Sequence, residues 1–246
     1  MVPPTSLARH LQKAAAQAPQ AGALLHAGKS MSFAELVDDS LDLASQLKRH
    51  PGPIIEAGSS LHLARHAYAC SFQNRPFFPV DRGNTLPAIQ QPLTDVALII
   101  ATSGSEGKPR AVLLGNEQLD AAAANSNTSL PLNPGDLWLN CLPLYHIGGQ
   151  SILWRCARAG AAVLLHDGFV ADRVATDLAA QPITHISLVP AMLARLLDLG
   201  TKPPASLRVA LIGGAALSRT LYNRATAAGW PLYPSYGMSE TAAQFA

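Results

Sequence analysis

Val96-Ala97-Leu98-Ile99-Ile100-Ala101-Thr102-Ser103-Gly104-Ser105-Glu106-Gly107-Lys108-Pro109-Arg110 decides how the rest of the chain is read. Its first six residues form a short apolar run, β-branched enough to predict a buried strand rather than a helix. A polar loop leaves the end of that strand. Gly104 and Gly107 let the backbone turn its N–H groups toward one point, and Thr102, Ser103 and Ser105 add hydroxyl donors. Lys108 and Arg110 supply positive charge. Such a loop suits phosphate. The run Ala111-Val112-Leu113-Leu114 reads as the returning strand, which makes the loop the tip of a hairpin.

The spacing is neither Walker A, which needs G-x-x-x-x-G-K-[ST], nor the dinucleotide fingerprint G-x-G-x-x-G. It therefore argues against a P-loop NTPase or a Rossmann dehydrogenase. Taken alone, the window also fits a polar Gly/Ser surface turn, so the decision rests on three later motifs. Pro143-Leu144-Tyr145-His146-x-x-Gly149, then Gly213-Gly214-Ala215, then Tyr236-Gly237-Met238-Ser239-Glu240-Thr241 come after it in that order.

This ordered set resembles the adenylate-forming superfamily of acyl- and aryl-CoA ligases, adenylation domains and luciferases. Within it the chain is most similar to the small CoA ligases of the o-succinylbenzoate–CoA ligase type. The resemblance covers nearly all of the chain and is weakest over residues 1–92. It implies an α/β fold of mostly parallel sheets flanked by helices. It also implies ATP, Mg²⁺ and, as co-substrate, CoA. In the implied reaction a small carboxylic acid attacks the α-phosphate to give acyl-AMP and pyrophosphate, and a thiol then displaces AMP. Thr102, Ser103, Gly104, Ser105, Gly107, Lys108 and Arg110 would hold the phosphates, with Lys108 and Glu240 catalytic and Glu240 carrying the metal, whose hard character favours carboxylate oxygen. Gly213, Gly214 and Ala215 would form a side-chain-free wall for the base or acyl group, with Tyr236 stacked on the adenine and Gly237 and Ser239 beside it. His146, Gly148, Gly149 and Met238 would line the acyl site, the two glycines keeping it open. A strand-to-helix turn using Gly for its backbone freedom is the structural alternative for Gly213-Gly214.

Four residues depart from the family pattern. Glu106 stands where relatives carry Thr or Ser, Arg110-Ala111 replaces Lys-Gly, and Ser239 replaces Thr. The Thr-Gly-Asp segment, hinge and mobile lid domain of relatives are expected to be absent. Residues 1–92 are expected to form a trimmed first α/β subdomain, and residues 93–246 the AMP-binding core. On this reading the chain is either an N-terminal part of a ligase with little turnover by itself, or a binding module that kept the fold and lost the chemistry.

Composition agrees. A hydrophobic content of 48% over 246 residues supports a large core. Net charge is +2 with 14% charged residues, which gives no basic field for nucleic acid. Cys70, Cys141 and Cys156 show no C-x-x-C spacing and are expected to be reduced, in a cytoplasmic protein. No apolar run is long enough to span a membrane, and the N-terminus lacks a signal-peptide pattern.

Helices are predicted over 7–18, from the Ser32/Glu35 capping box onward, and over 61–71. In the last of these His62 and His66 lie one turn apart. The spacing suits a metal pair, but Leu63 replaces the Glu of the zinc-protease signature, so ordinary helix histidines are expected. Asn116 is the expected N-cap of an Ala-rich helix reaching residue 129. Beyond Trp138 strands and helices alternate, which predicts a mostly parallel sheet. Its strand ends would carry His146, Gly213 and Tyr236 into one cleft, with 187–192 as further candidate lining.

Overall fold

The structure is a computed structural model that describes residues 4–47, 52–83, 85–102 and 109–244. Helix α1 (Ser6–Gln17) is amphipathic, burying Leu7, Leu11 and Ala14 along one stripe. Strands β1 (Gly22–His26) and β2 (Lys29–Ser32) form an antiparallel hairpin. Its turn places Ala27 and Gly28 both at positive φ, 49° and 77°. The sequence does not advertise this hairpin, because the first turn position holds Ala where Asn or Asp would mark a left-handed residue. Helix α2 (Phe33–Gln46) starts at the predicted capping box: the Glu35 N–H donates to Ser32 Oγ at 3.2 Å, and the Ser32 N–H donates to Glu35 Oε2 at 2.7 Å.

Strand β3 (Ile54–Glu56), helix α3 (Ser60–Phe72) and strand β4 (Phe77–Pro79) come next. The predicted hairpin is present as β5 (Val96–Thr102) and β6 (Arg110–Gly115), paired antiparallel from Val96↔Gly115 to Thr102↔Arg110. Helix α4 (Asn116–Ser129) corrects one expectation: its N-cap is Gly115, and Asn116 is its first residue. The Asn116 side chain is engaged elsewhere, since its Oδ1 accepts from the Ser6 N–H and Oγ at 3.3 and 3.1 Å.

The remaining elements alternate as predicted. They are β7 (Leu137–Asn140), α5 (Ile147–Ala159), β8 (Ala162–Leu165), α6 (Ala171–Ala180), β9 (His185–Leu188), α7 (Pro190–Asp198), β10 (Val209–Ile212), α8 (Arg219–Ala227) and β11 (Leu232–Pro234). Proline opens α7, where its missing N–H costs nothing. Gly160 closes α5 in the left-handed region at φ 68°. A small antiparallel pair, β12 (Gly237–Met238) and β13 (Ala243–Gln244), flanks a 3₁₀ turn at Ser239–Thr241.

Two main sheets result. The seven-stranded sheet has the order β11-β10-β9-β7-β8-β1-β2, parallel throughout except for the edge hairpin. Residues of β7, β9 and β10 are buried along their whole length, the pattern of strands covered on both faces. The four-stranded sheet has the order β3-β4-β5-β6. Each sheet draws strands from both sides of residue 92. Trp138, fully buried in β7, belongs to a core that also takes in α1, α3 and α5. Among the described residues no helix is long and apolar enough to cross a membrane.

Candidate functional site

Strands β7, β9, β10 and β11 are adjacent, and the chain leaving each of their carboxyl ends contributes to one cleft of about 450 Å³. Leu142 and Pro143 come from β7, Val189 from β9, Gly213 and Gly214 from β10 and Ser235 from β11. Register keeps these ends level. Asn140 pairs with Ser187, while Ile212 pairs with both Leu188 and Pro234. Ligands of open α/β sheets gather at such a place.

The loop from β7 into α5 is held by buried side-chain amides. Asn140 Nδ2 donates to the Gly149 carbonyl and its Oδ1 accepts from the Leu142 N–H, both at 3.1 Å. Gln150 Nε2 donates to the Leu144 carbonyl at 2.7 Å. Gly149 is required by close approach: a Cβ there would stand 2.5 Å from the Pro143 oxygen. Gly148 is less constrained, its nearest neighbour being the Leu142 side chain at 3.3 Å. The two glycines therefore differ from the expectation of a shared role. Both line the cleft, and Gly149 mainly lets the start of α5 touch the preceding loop.

His146 is the N-cap of α5, but its ring makes no capping hydrogen bond and lies against Tyr145, with centroids 4.7 Å apart. Partial dehydration by the cleft wall lowers its pKa, against a smaller opposing pull from Asp81. The neutral imidazole is thereby favoured. Burial, and to a lesser degree the nearby Asp81 carboxylate, raises the Tyr145 pKa.

The C-terminal motif closes another side. Gly237, Met238 and Ser239 line the cleft with Ala243 and Gln244. A Cβ at Gly237 would lie 2.0 Å from the Ala243 oxygen, so only glycine allows this close pairing of β12 with β13. Gln118 Nε2 of α4 donates to the Glu240 carbonyl at 2.7 Å, and the 3₁₀ turn packs against β6. The Glu240 carboxylate is exposed and is not part of the cleft lining. Neither Tyr236, 63% exposed, nor Ala215 is among the lining residues.

Thr102 and Arg110 pair at the open end of the β5–β6 hairpin, where Thr102 Oγ1 reaches the Arg110 carbonyl at 3.5 Å. Ser103, Gly104, Ser105, Gly107 and Lys108, with Glu106, lie outside the described residues. The hairpin that carries this loop is thus next to the turn that carries Glu240. Glu240 is an unshielded hard oxygen donor of the kind Mg²⁺ takes, so the residue fits the ion the resemblance implies.

Arg155 is a cleft residue that the sequence motifs do not identify. It is 3% exposed, lies over the Trp138 ring at 5.4 Å and lines the cleft. Its Nη2 donates to Gln244 Oε1, while its Nε has no partner among the described residues. Burial lowers its pKa to about 10, which still leaves it charged at neutral pH. Among the described residues the cleft lining contains no carboxylate. A signal was present: Arg155 is the one charge in Ile152-Leu153-Trp154-Arg155-Cys156-Ala157, and a charge in an otherwise apolar, buried helical run is rarely there without a partner. Ser187 and Met192 line the cleft as expected.

Known proteins share this architecture. A 2-succinylbenzoate–CoA ligase from Staphylococcus epidermidis is 40% identical over 153 residues, which is 62% of this chain and 32% of that protein. A Staphylococcus aureus counterpart is 37% identical over 172 residues, 70% of this chain and 35% of that protein. The o-succinylbenzoate CoA synthetase (MenE) of Bacillus subtilis, solved with the acyl-adenylate intermediate OSB-AMP, superposes with a TM-score of 0.83 at 24% identity, covering 96% of this chain and 59% of that one. The N-terminal domain of FACL13 from Mycobacterium tuberculosis superposes with the same score, 0.83, at 16% identity, covering 97% of this chain and 77% of that one. The chain spans about a third of the length of the curated relatives it matches. The family model described as AMP-binding enzyme matches residues 65–246, most of the sequence, and the chain therefore belongs to the AMP-binding enzyme family.

Proposed function

We propose that this chain forms the acid- and nucleotide-binding part of an acid–CoA ligase, which activates a carboxylate as its acyl-adenylate and passes the acyl group to CoA. The acid we assign is an aromatic dicarboxylate of the 2-succinylbenzoate type. Relatives carrying that name support the class. The observation that carries the assignment is Arg155, a buried guanidinium facing a cleft whose lining, among the described residues, holds no carboxylate. A buried charge lacking an ionic partner is costly. A substrate with one carboxylate to activate and a second to be recognised would supply that partner. Arg favours such recognition through its planar set of donors.

In this reading the acyl group lies between the β10 turn at Gly213-Gly214 and the start of α5. His146 borders the path to the reacting carbonyl in its neutral form. The β5–β6 loop holds the phosphates with Lys108 as the added cation, and Glu240 holds Mg²⁺. Held there, Mg²⁺ would supply positive charge to offset that of the phosphates. Ser235, Gly237 and Ser239 edge the nucleotide side.

Calorimetric titration with 2-succinylbenzoate and with a monocarboxylate lacking the second acid group tests the assignment. The wild type is expected to prefer the dicarboxylate by at least about tenfold, and Arg155→Met to lose that preference, as expected for one charge-assisted hydrogen-bonded contact. Equal preference in a folded Arg155→Met protein would remove the dicarboxylate assignment.

A further inference from the structure

A second cluster of ligating side chains lies away from the cleft, where β3 turns into α3. Glu56 is the last residue of β3, and His62 and His66 occupy successive turns of α3 on one face. One donor atom from each of the three lies within 4.8 Å of the other two. Glu56 Oε2 is 3.0 Å from His62 Nε2, and Glu56 Oε1 is 3.8 Å from His66 Nε2. In a tetrahedral zinc site with bonds of about 2.0–2.1 Å, neighbouring donors stand about 3.3 Å apart. The observed separations bracket that spacing.

Two further features favour a metal over a plain ion pair. His66 Nδ1 is 2.9 Å from the His62 carbonyl, which can only accept, so Nδ1 carries a proton and in the neutral ring the Nε2 lone pair faces the cluster. A backbone carbonyl orienting the far nitrogen is the usual outer support of a metal-bound histidine. At Gly58 a Cβ would lie 2.8 Å from His62 Cδ2, so the β3–α3 turn leaves room for this ring that any side chain would take. The turn is also anchored at its base: the Ser60 N–H donates to Asp167 Oδ1 at 2.7 Å, and Ser60 Oγ donates to the His166 carbonyl at 2.8 Å. The cluster therefore needs only side-chain adjustment to close around an ion.

The geometry points to a zinc-class cation site formed by Glu56, His62 and His66, separate from the acid-binding cleft and from the Mg²⁺ of the nucleotide. Two imidazoles and one carboxylate suit Zn²⁺ and its neighbours in the first transition row, whereas Mg²⁺ and Ca²⁺ take oxygen donors. Binding replaces the direct His62–Glu56 contact with bonds to the ion, which then cross-links β3 to α3. In the sequence the two histidines by themselves read as ordinary helix residues. The third ligand comes from a different element, six residues before His62.

Chelator-stripped protein titrated with ZnCl₂ against a chromophoric zinc indicator tests the site, with the thermal midpoint as a second readout. One zinc ion per chain is expected, with a raised midpoint and no competition from a large excess of Mg²⁺. His62→Gln and Glu56→Gln are expected to weaken binding at least about tenfold and to abolish the midpoint shift. His10→Gln, at a surface pair with Asp120, is expected to change neither. Because His66 is largely buried and its loss can destabilise the fold, the conclusion rests on the more exposed His62. Absence of saturable zinc binding, or unchanged affinity in folded His62→Gln and Glu56→Gln proteins, overturns the proposal.

Discussion

The side-chain amide of Gln118 donates to the backbone carbonyl of Glu240 at 2.7 Å, joining the helix after the β5–β6 hairpin to the turn bearing the acidic residue of the C-terminal motif. Residues far apart in the chain are thereby fixed as neighbours. Gln244 adds a second tie, with Nε2 donating to Ser126 Oγ at 3.0 Å and Oε1 accepting from Arg155. The segment 237–244 is thus pinned to α4 and α5 along one side of the cleft.

This pinning sets the expected behaviour of Glu240→Gln. The backbone contact to Gln118 is kept and only the carboxylate charge is lost. Affinity for ATP·Mg, measured by calorimetry, is expected to fall about ten- to hundredfold with the thermal midpoint unchanged. Wild-type affinity would remove the metal-binding role of this residue.

The paired glycines at the head of α5 separate packing from propensity. Gly149→Ala places a methyl against the Pro143 carbonyl and is expected to destabilise the protein by about 2–3 kcal/mol. Gly148→Ala meets only a leucine side chain in a helix, where Ala is the better residue, and its stability is expected to stay within about 1 kcal/mol of wild type. Urea unfolding of both variants checks the contrast, and equal losses would contradict it.

His185 gives the fold an acid-sensitive point. Its imidazole stacks on Trp138 at 4.9 Å, and burial lowers its pKa from 6.5 to about 4, Asp136 opposing the shift. The unfolded chain therefore binds the extra proton more readily between those values, and stability falls as pH drops from 6.5 toward 4. The loss is on the order of 2–3 kcal/mol for this one group. His185→Phe, whose ring can still stack on Trp138, is expected to flatten the pH dependence of the urea midpoint across that window. An unchanged slope would assign the acid sensitivity elsewhere.

The sequence carried most of the α/β alternation because β7, β9 and β10 are short runs buried on both faces and α1, α2 and α5–α7 show a single apolar stripe or continuous burial. It carried the cleft glycines and His146 because they recur in ordered motifs. What it did not carry depends on partners distant in the chain. Arg155 stands out as a lone charge in an apolar run, but its partner Gln244, 89 residues on, is brought to it only by the fold. Asn116 has the residue type of a cap, but its side chain is taken by Ser6 of α1. Tyr236 and Glu240 belong to the predicted motif, yet both are exposed and neither is among the residues lining the cleft.

One claim is central: the ends of β7, β9, β10 and β11 enclose a single acyl-adenylate site. Calorimetric titration with a non-hydrolysable o-succinylbenzoyl-adenylate analogue, on the wild type and on Gly213→Val, tests it most directly. Saturable binding of one analogue per chain is predicted, weakened at least about tenfold when the valine side chain fills the β10 turn of a protein that still melts cooperatively. Absence of binding to the wild type, or undiminished binding to folded Gly213→Val, would contradict it.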